Sequence, residues 1–318
     1  MRKFNKKYLI GIAVLVLCVG MVSSLNAANA IEDRDCSLTI NVENSSEYGT
    51  DLKDTDINVQ IYKIADMALT GAFTSTTDFS ELGIENIPSG QEDWTSTANQ
   101  AVEIINENSI EATSTMTFKN SGTFSNLSRG LYLVLTSNTE TDEYEYTYTP
   151  YIISLPNNYY YQTKDVKDDE WVYEVTSGLK PERSDRYGSL KITKTLNDFN
   201  ESLKQTTFVF SVEATKNDET VYSNVVSTTF DSTGSKEVVI DEIPAGSTVT
   251  VTEVYSGASY TLTSEASKEV KIVADQTMEA DFTNTYNDEL KPGYGVTNHF
   301  EMSDDGWTWT QLTDNTQQ

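Results

Sequence analysis

Residues 188–196 read GSLKITKTL and residues 247–253 read STVTVTE, and these two stretches decide the kind of fold. Apolar side chains fall at every second position, with Leu190, Ile192 and Leu196 in the first and Val249 and Val251 in the second. That period marks strands with one buried face, because successive Cβ atoms point to opposite sides of a sheet. The same parity sends Lys194 inward with the leucines while Lys191 faces water, and sends Glu253 inward with the valines. In FTNTY, residues 282–286, Phe282, Asn284 and Tyr286 share a face, so the Asn284 carboxamide is also aimed at the core.

Each of these polar residues has an ordinary explanation when taken alone. A lysine stem snorkels, a glutamate near a strand end reaches solvent, and an asparagine turns the chain. Taken together they define a reaction. A dry interior disfavours the charged forms of a Lys–Glu pair, leaving a neutral amine and a protonated acid. Such an amine is a nucleophile for the Asn284 carbonyl carbon. Glu253, hydrogen-bonded to that carbonyl, polarises it and shuttles protons as ammonia leaves. The product is a Lys194–Asn284 isopeptide bond with Glu253 as its catalyst. Fixed proximity and desolvation supply the rate, so no cofactor is needed.

Alternation of the same kind runs outward through the chain. Leu38–Val42, Ile57–Ile61, Leu131–Leu135 and Tyr144–Tyr148 have the period or the β-branched and aromatic content of half-buried strands. One helix interrupts them. In EDWTSTANQAVEIINEN, residues 92–108, Trp94, Ala98, Ala101 and Ile105 form one apolar face, expected to cover an edge of the N-terminal sheet. The polar stretch SGLKPERSDRYG, residues 177–188, separates two strand-rich regions. The expected fold is all-β: tandem immunoglobulin-like β-sandwiches, the N-terminal one with an inserted helix. The boundaries read as a signal peptide over 1–30, a β domain over 31–185, a β-sandwich over 186–288 and a C-terminal hairpin and tail over 289–318. The hairpin is read from two alternating runs around an Asp-Gly turn in GYGVTNHFEMSDDGWTWTQL.

Composition bounds the function. The chain has 318 residues, with 22 Lys plus Arg against 49 Asp plus Glu. Arg2, Lys3, Lys6 and Lys7 precede any acid, leaving 18 basic against 49 acidic residues from residue 31 onward, a net charge of −31. A polyanion of this kind repels phosphate backbones and anionic lipid heads, which argues against nucleic-acid and peripheral membrane partners. MRKFNKK, the uncharged apolar run Tyr8–Val22 and Ala28-Asn29-Ala30 read as a secretory signal, so the mature protein is expected to be exported, with no membrane segment once the signal is removed. The rival reading, a retained anchor, suffers from the shortness of the apolar run. Cys36 is the sole cysteine after the signal and His299 the sole histidine, so neither an internal disulfide nor a Cys/His metal cluster can form. His299 lacks a nucleophile-elbow partner and reads as an exposed strand residue.

Four motifs in order, GSLKITKTL, TFVFSVEA, IDEIPAGSTVTVTEVYSG and ADFTNTY, resemble the first strand, an early core strand, the Pro-Ala-Gly turn with its VTE strand, and the last strand of collagen-adhesin B-type (Cna-B-like) domains. These belong to Gram-positive surface proteins and pilins, and the resemblance covers residues 188–287. It implies that Lys194 and Asn284 form an intramolecular isopeptide catalysed by Glu253. INVQIYKIADM, GAFTSTTDF, GLYLV and YTPYIISLP resemble segments of the N-terminal domains of sortase-assembled pilins. In WVYEVTSGLKPE, Trp171, Val175 and Lys180 resemble a pilin motif, which implies Lys180 as the lysine that a sortase joins to another subunit. Pro181 follows that lysine instead of preceding it, so a solvated linker lysine is the alternative. The closing WTWTQLTDNTQQ lacks an LPxTG-like sorting signal. Lys63 shares parity with Ile57, Val59 and Ile61, but no Asn or Asp partner marks it as a second crosslink.

The expected function is that of an exported structural surface protein, a pilin-like subunit or adhesin stalk, with pilin subunits and a sortase as partners. The alternative is a monomeric binding module for a host protein or glycan, using Tyr159, Tyr160 and Tyr161 or the Trp307/Trp309 hairpin. A secreted hydrolase with paired carboxylates is a third class, but no pair is marked out by spacing.

Overall fold

The computed structural model describes residues 30–44, 48–86, 91–158, 170–257, 259–287, 297–303 and 306–312. The segment up to Asn29, read above as a signal, and the tyrosines Tyr159, Tyr160 and Tyr161 lie outside the described residues; His299, Trp307 and Trp309 are described by backbone alone. The architecture is all-β with several sheets. The described residues of 1–139 and 146–183 form one compact unit, and those of 140–145 and 184–318 form a second.

The first unit contains β1 (Cys36–Asn41), β2 (Ile57–Met67), β3 (Phe73–Ser75), helix α1 (Gln91–Asn108), β4 (Ser114–Phe118), β5 (Ser121–Leu127), β6 (Gly130–Thr136), β7 (Tyr151–Leu155) and β8 (Glu174–Ser177). One sheet has the order β8-β1-β5, and another the order β3-β2-β6-β7 with β4 also paired to β2. The helix forms where its periodicity places it, and Trp94, Ala98, Ala101 and Ile105 are buried together with Thr97 and Ile104. Its apolar stripe meets Tyr62, Ile64, Leu131, Leu133 and Ile152, so it covers the face of the larger sheet rather than an edge. The cause lies in β6, where every residue except Leu135 is buried; a strand apolar on both sides needs a layer on each.

Lys63 falls at an irregularity in β2, where the register against β6 shifts between Lys63 and Ala65. Its Nζ donates to Asp66 Oδ1 at 2.5 Å and to Ser128 Oγ at 2.8 Å, so this half-buried lysine is paired with an exposed acid.

The second unit is a sandwich of β9 (Tyr187–Leu196), β10 (Thr206–Lys216), β11 (Glu219–Phe230), β12 (Gly234–Pro244), β13 (Thr248–Tyr255), β14 (Tyr260–Leu262), β15 (Ser267–Lys271) and β16 (Thr277–Tyr286). One four-stranded sheet has the order β12-β9-β16-β14, and the other β11-β10-β13-β15. Leu190, Ile192, Phe210, Val212, Val251 and Phe282 interdigitate between them. The first and last strands, β9 and β16, are parallel neighbours, with Leu196 opposite Asn284. The short segment 140–145 belongs to this unit, with Lys216 Nζ 3.1 Å from Glu143 Oε2. Beyond the sandwich, β17 (Thr297–Ser303) and β18 (Gly306–Leu312) form an antiparallel hairpin, and β18 runs beside β11.

Candidate crosslinking site

Alternation along β9 is complete: Leu190, Ile192, Lys194 and Leu196 are buried and the residues between them are partly exposed. Lys194 is 0% exposed, so its whole stem and amine are inside the sandwich. Two strands of the same sheet flank Asn284, which lies opposite Leu196 of β9 and Leu262 of β14 and is also fully buried. Glu253 comes from the other sheet. Alternation along β13 buries Val249, Val251 and Glu253 on one face, so the carboxyl points into the interior opposite Phe210 of β10, and the register shifts only beyond it, where Tyr255 pairs with Val209.

The three side chains meet. Lys194 Nζ donates to Asn284 Oδ1 at 2.5 Å and to Glu253 Oε2 at 2.7 Å. Asn284 Nδ2 donates to Glu253 Oε1 at 2.6 Å and to the Ser256 carbonyl at 3.4 Å. Lys194 Nζ also lies 4.6 Å from the centroid of the Phe208 ring. Phe208 packs edge-on against Phe230 and Tyr260, and the Phe210 and Phe282 rings are in contact, so the trio is walled by aromatics.

Burial holds the Lys194 amine below the ordinary lysine pKa, against the opposing pull of the Glu253 carboxylate. An amine that releases its proton more readily than a solvated lysine and rests against a carboxamide is set up for attack on that group.

One detail differs from the sequence-based expectation. Glu253 was expected to bond the Asn284 carbonyl oxygen, but it meets the amide nitrogen instead. The reason is geometric. Lys194, on the strand next to Asn284, occupies Oδ1, and Glu253, reaching over from the opposite sheet, finds Nδ2. The carboxyl thereby bridges the nucleophilic nitrogen and the leaving nitrogen, the two ends of the required proton transfer.

The Ser256 carbonyl and the Phe208 ring were not singled out by sequence reasoning. A backbone acceptor has no side-chain signal, and Phe208 reads as one more core aromatic in TFVFSVEA.

Lys180 belongs to the first unit. Its carbonyl accepts from the Thr149 N–H at 3.0 Å, and its Nζ lies 5.4 Å from the Tyr151 ring centroid. Partial burial lowers its pKa. Trp171 is half-buried and Val175 is buried in β8. Among the described residues no group of three or more His, Cys, Asp and Glu gathers as metal donors, and no helix is long and apolar enough to cross a membrane.

Residues 190–287 match the family model described as Domain of unknown function (DUF5979). No curated protein matches the chain. Among solved structures, the chain is similar to the minor pilin GBS52 of Streptococcus agalactiae, at 14% identity over 82% of this chain and 100% of that one, with a TM-score of 0.25. The major pilin SpaD of Corynebacterium diphtheriae is matched at 12% identity over 83% of this chain and 100% of that one, with a TM-score of 0.29. For the major pilin of Streptococcus pyogenes the values are 13% identity, 80% and 99% coverage and a TM-score of 0.22.

Proposed function

We propose that the protein is an exported, structural cell-surface component, a pilin-like subunit or adhesin stalk, whose second domain is braced by an autocatalytic Lys194–Asn284 isopeptide bond. The observation that carries this reading is the contact of the buried Lys194 amine with the Asn284 carboxamide, with Glu253 bonded to both.

The chemistry balances within the chain. The Lys194 amine attacks Asn284 Cγ, the Nζ proton passes through the Glu253 carboxyl to Nδ2, and the Cγ–Nδ2 bond breaks. One new amide forms and one ammonia leaves. Glu253 ends in its starting state, and the reaction runs once per molecule.

The placement of the bond gives it a mechanical use. Lys194 lies near the end of β9 and Asn284 near the end of β16, and these strands are parallel neighbours. Tension entering at Tyr187 passes to Lys194, through the crosslink to Asn284, and out beyond Tyr286. Residues 195–283 then carry none of it. An exported chain with one thiol cannot form an internal disulfide, and an amide resists reduction as well.

On this reading Lys180 joins the subunit to a neighbouring pilin through a sortase, and residues 1–30 are removed on export. Single-molecule pulling tests the mechanical role. The second domain of the wild-type chain should show no extension event, whereas Glu253→Ala should show one that releases the strands between 195 and 283. Extension of the wild-type second domain to its full contour would refute the load-bearing role.

A further inference from the structure

The Asn284 carboxamide carries two N–H donors and lies wholly inside the sandwich, and each donor has one acceptor: Glu253 Oε1 at 2.6 Å and the Ser256 carbonyl at 3.4 Å. We infer that the Ser256 carbonyl, set in place by the left-handed turn at Gly257, is a positioning group that selects a carboxamide at residue 284 and turns its carbonyl toward Lys194. This rests on the crosslinking reading above and goes beyond it by adding a group outside the reacting trio.

The argument is one of donor and acceptor matching. With the amide oriented as found, Oδ1 receives the lysine N–H and both Nδ2 hydrogens meet oxygens. Rotated by half a turn, Oδ1 would face the Ser256 carbonyl oxygen, an acceptor with no proton to donate, whereas the neutral Lys194 amine could still accept from Nδ2. A buried group cannot relieve such mismatches with water. Glu253 alone bonds Lys194 as well and is shared between two partners, whereas the Ser256 carbonyl contacts only the nitrogen side of the amide. It also stays beside that nitrogen as the nitrogen becomes ammonia, which remains a hydrogen-bond donor.

The turn that places this carbonyl depends on glycine. Gly257 has φ +78°, and a Cβ there would stand 2.9 Å from Thr206 Oγ1 and 3.0 Å from the Tyr260 ring. Any other L-residue strains the backbone and pushes the turn away from both neighbours. Gly257→Ala therefore shifts the Ser256 carbonyl and keeps all three reacting side chains, and any loosening passed to the pocket through Tyr260 and Phe208 is separated by the Asn284→Asp background.

The test uses the full mature chain, synthesised cell-free into urea so that no bond forms. Folding is started by dilution, samples are quenched in acid, and the fraction that has lost ammonia, or water for Asn284→Asp, is followed by intact mass. Gly257→Ala should slow bond formation about five- to tenfold in the Asn284 chain, the rate equivalent of one lost hydrogen bond. In an Asn284→Asp chain, which offers no N–H donors, the same substitution should change the rate less than about twofold, an effect well below one hydrogen bond.

Equal rates for wild type and Gly257→Ala would overturn the inference. Equal slowing in both backgrounds would also overturn it, since that is the mark of a loosened pocket. A wild-type chain that folds without losing ammonia would remove the crosslinking reading itself. If Gly257→Ala does not fold, the Lys194→Met chain with native Gly257 decides the question. There both Asn284 Nδ2 protons should exchange slowly with solvent in NMR spectra, and fast exchange of one of them would overturn the inference.

Discussion

At the scale of single residues, the protonation of Lys194 sets when the bond forms. Only the neutral amine attacks, and burial places its pKa below the ordinary value of 10.5. The rate of ammonia loss after folding is therefore predicted to rise with pH and level off before pH 10.5, as followed by quenched mass spectra across a pH series. A rate that goes on rising through pH 10.5 would contradict this. The same shift has a consequence for stability before the bond exists. The folded pKa is the lower one, so between the two values the unfolded chain holds the proton more tightly, and stability of the unbonded domain rises with pH through that window. An Asn284→Ala chain, unable to crosslink, should therefore unfold at a higher denaturant concentration as pH is raised toward 10.5. Parity in three short strands was enough to read Lys194, Glu253 and Asn284 from the sequence, because period two admits only two faces. The contact of Glu253 with nitrogen rather than oxygen was not legible, since it depends on which sheet each residue comes from. The Ser256 carbonyl was hidden for another reason: it is backbone, placed by a turn.

At the scale of elements, the site depends on strands held rigidly by their neighbours. Phe208 on β10 lies fully buried between the Lys194 amine and the rings of Phe230 and Tyr260. Phe208→Ala should cost the second domain about 3–5 kcal/mol in an uncrosslinked background, and by admitting water it should return the amine toward its ordinary pKa and slow bond formation. Denaturant titration of the Asn284→Ala chain with and without Phe208→Ala measures the first effect. In the first unit, a Cβ on Gly130 would lie 2.3 Å from the Ala65 carbonyl oxygen, beside the register shift in β2. Gly130→Ala is accordingly predicted to destabilise that unit by about 1–3 kcal/mol, read as an earlier unfolding transition; an unchanged transition would show that the strands part easily there. The helix Gln91–Asn108 was legible from its apolar stripe, yet the surface it covers was not. Strand β6 is buried on both faces and does not alternate, so its need for a covering layer shows only when the sheet is assembled.

At the scale of the whole molecule, the crosslink changes what the unfolded chain can do. Lys194 and Asn284 are 90 positions apart, and closing a loop of that size restricts the unfolded ensemble by about 4–5 kcal/mol on the loop-closure argument used for disulfides. Glu253→Ala should lower the thermal midpoint of the second domain relative to wild type, with no effect on the transition of the first. Attachment to other subunits is expected to run through Lys180, so that Lys180→Ala removes high-mass ladders from cell-wall extracts, while Lys194→Ala leaves the ladders covalently joined, with second domains that extend under load. The polar stretch at 177–188 marks a candidate border in the sequence, and the compact units change over between 183 and 184, whereas the assignment of 140–145 to the second unit depends on contacts between residues distant in sequence.

The most direct measurement is the intact mass of the mature, folded protein beside its Glu253→Ala and Lys194→Ala counterparts. The wild-type chain is predicted to weigh one ammonia less than its sequence, and each variant to match its own sequence mass. A wild-type mass equal to that of the unmodified sequence would contradict the claim that the buried trio joins itself.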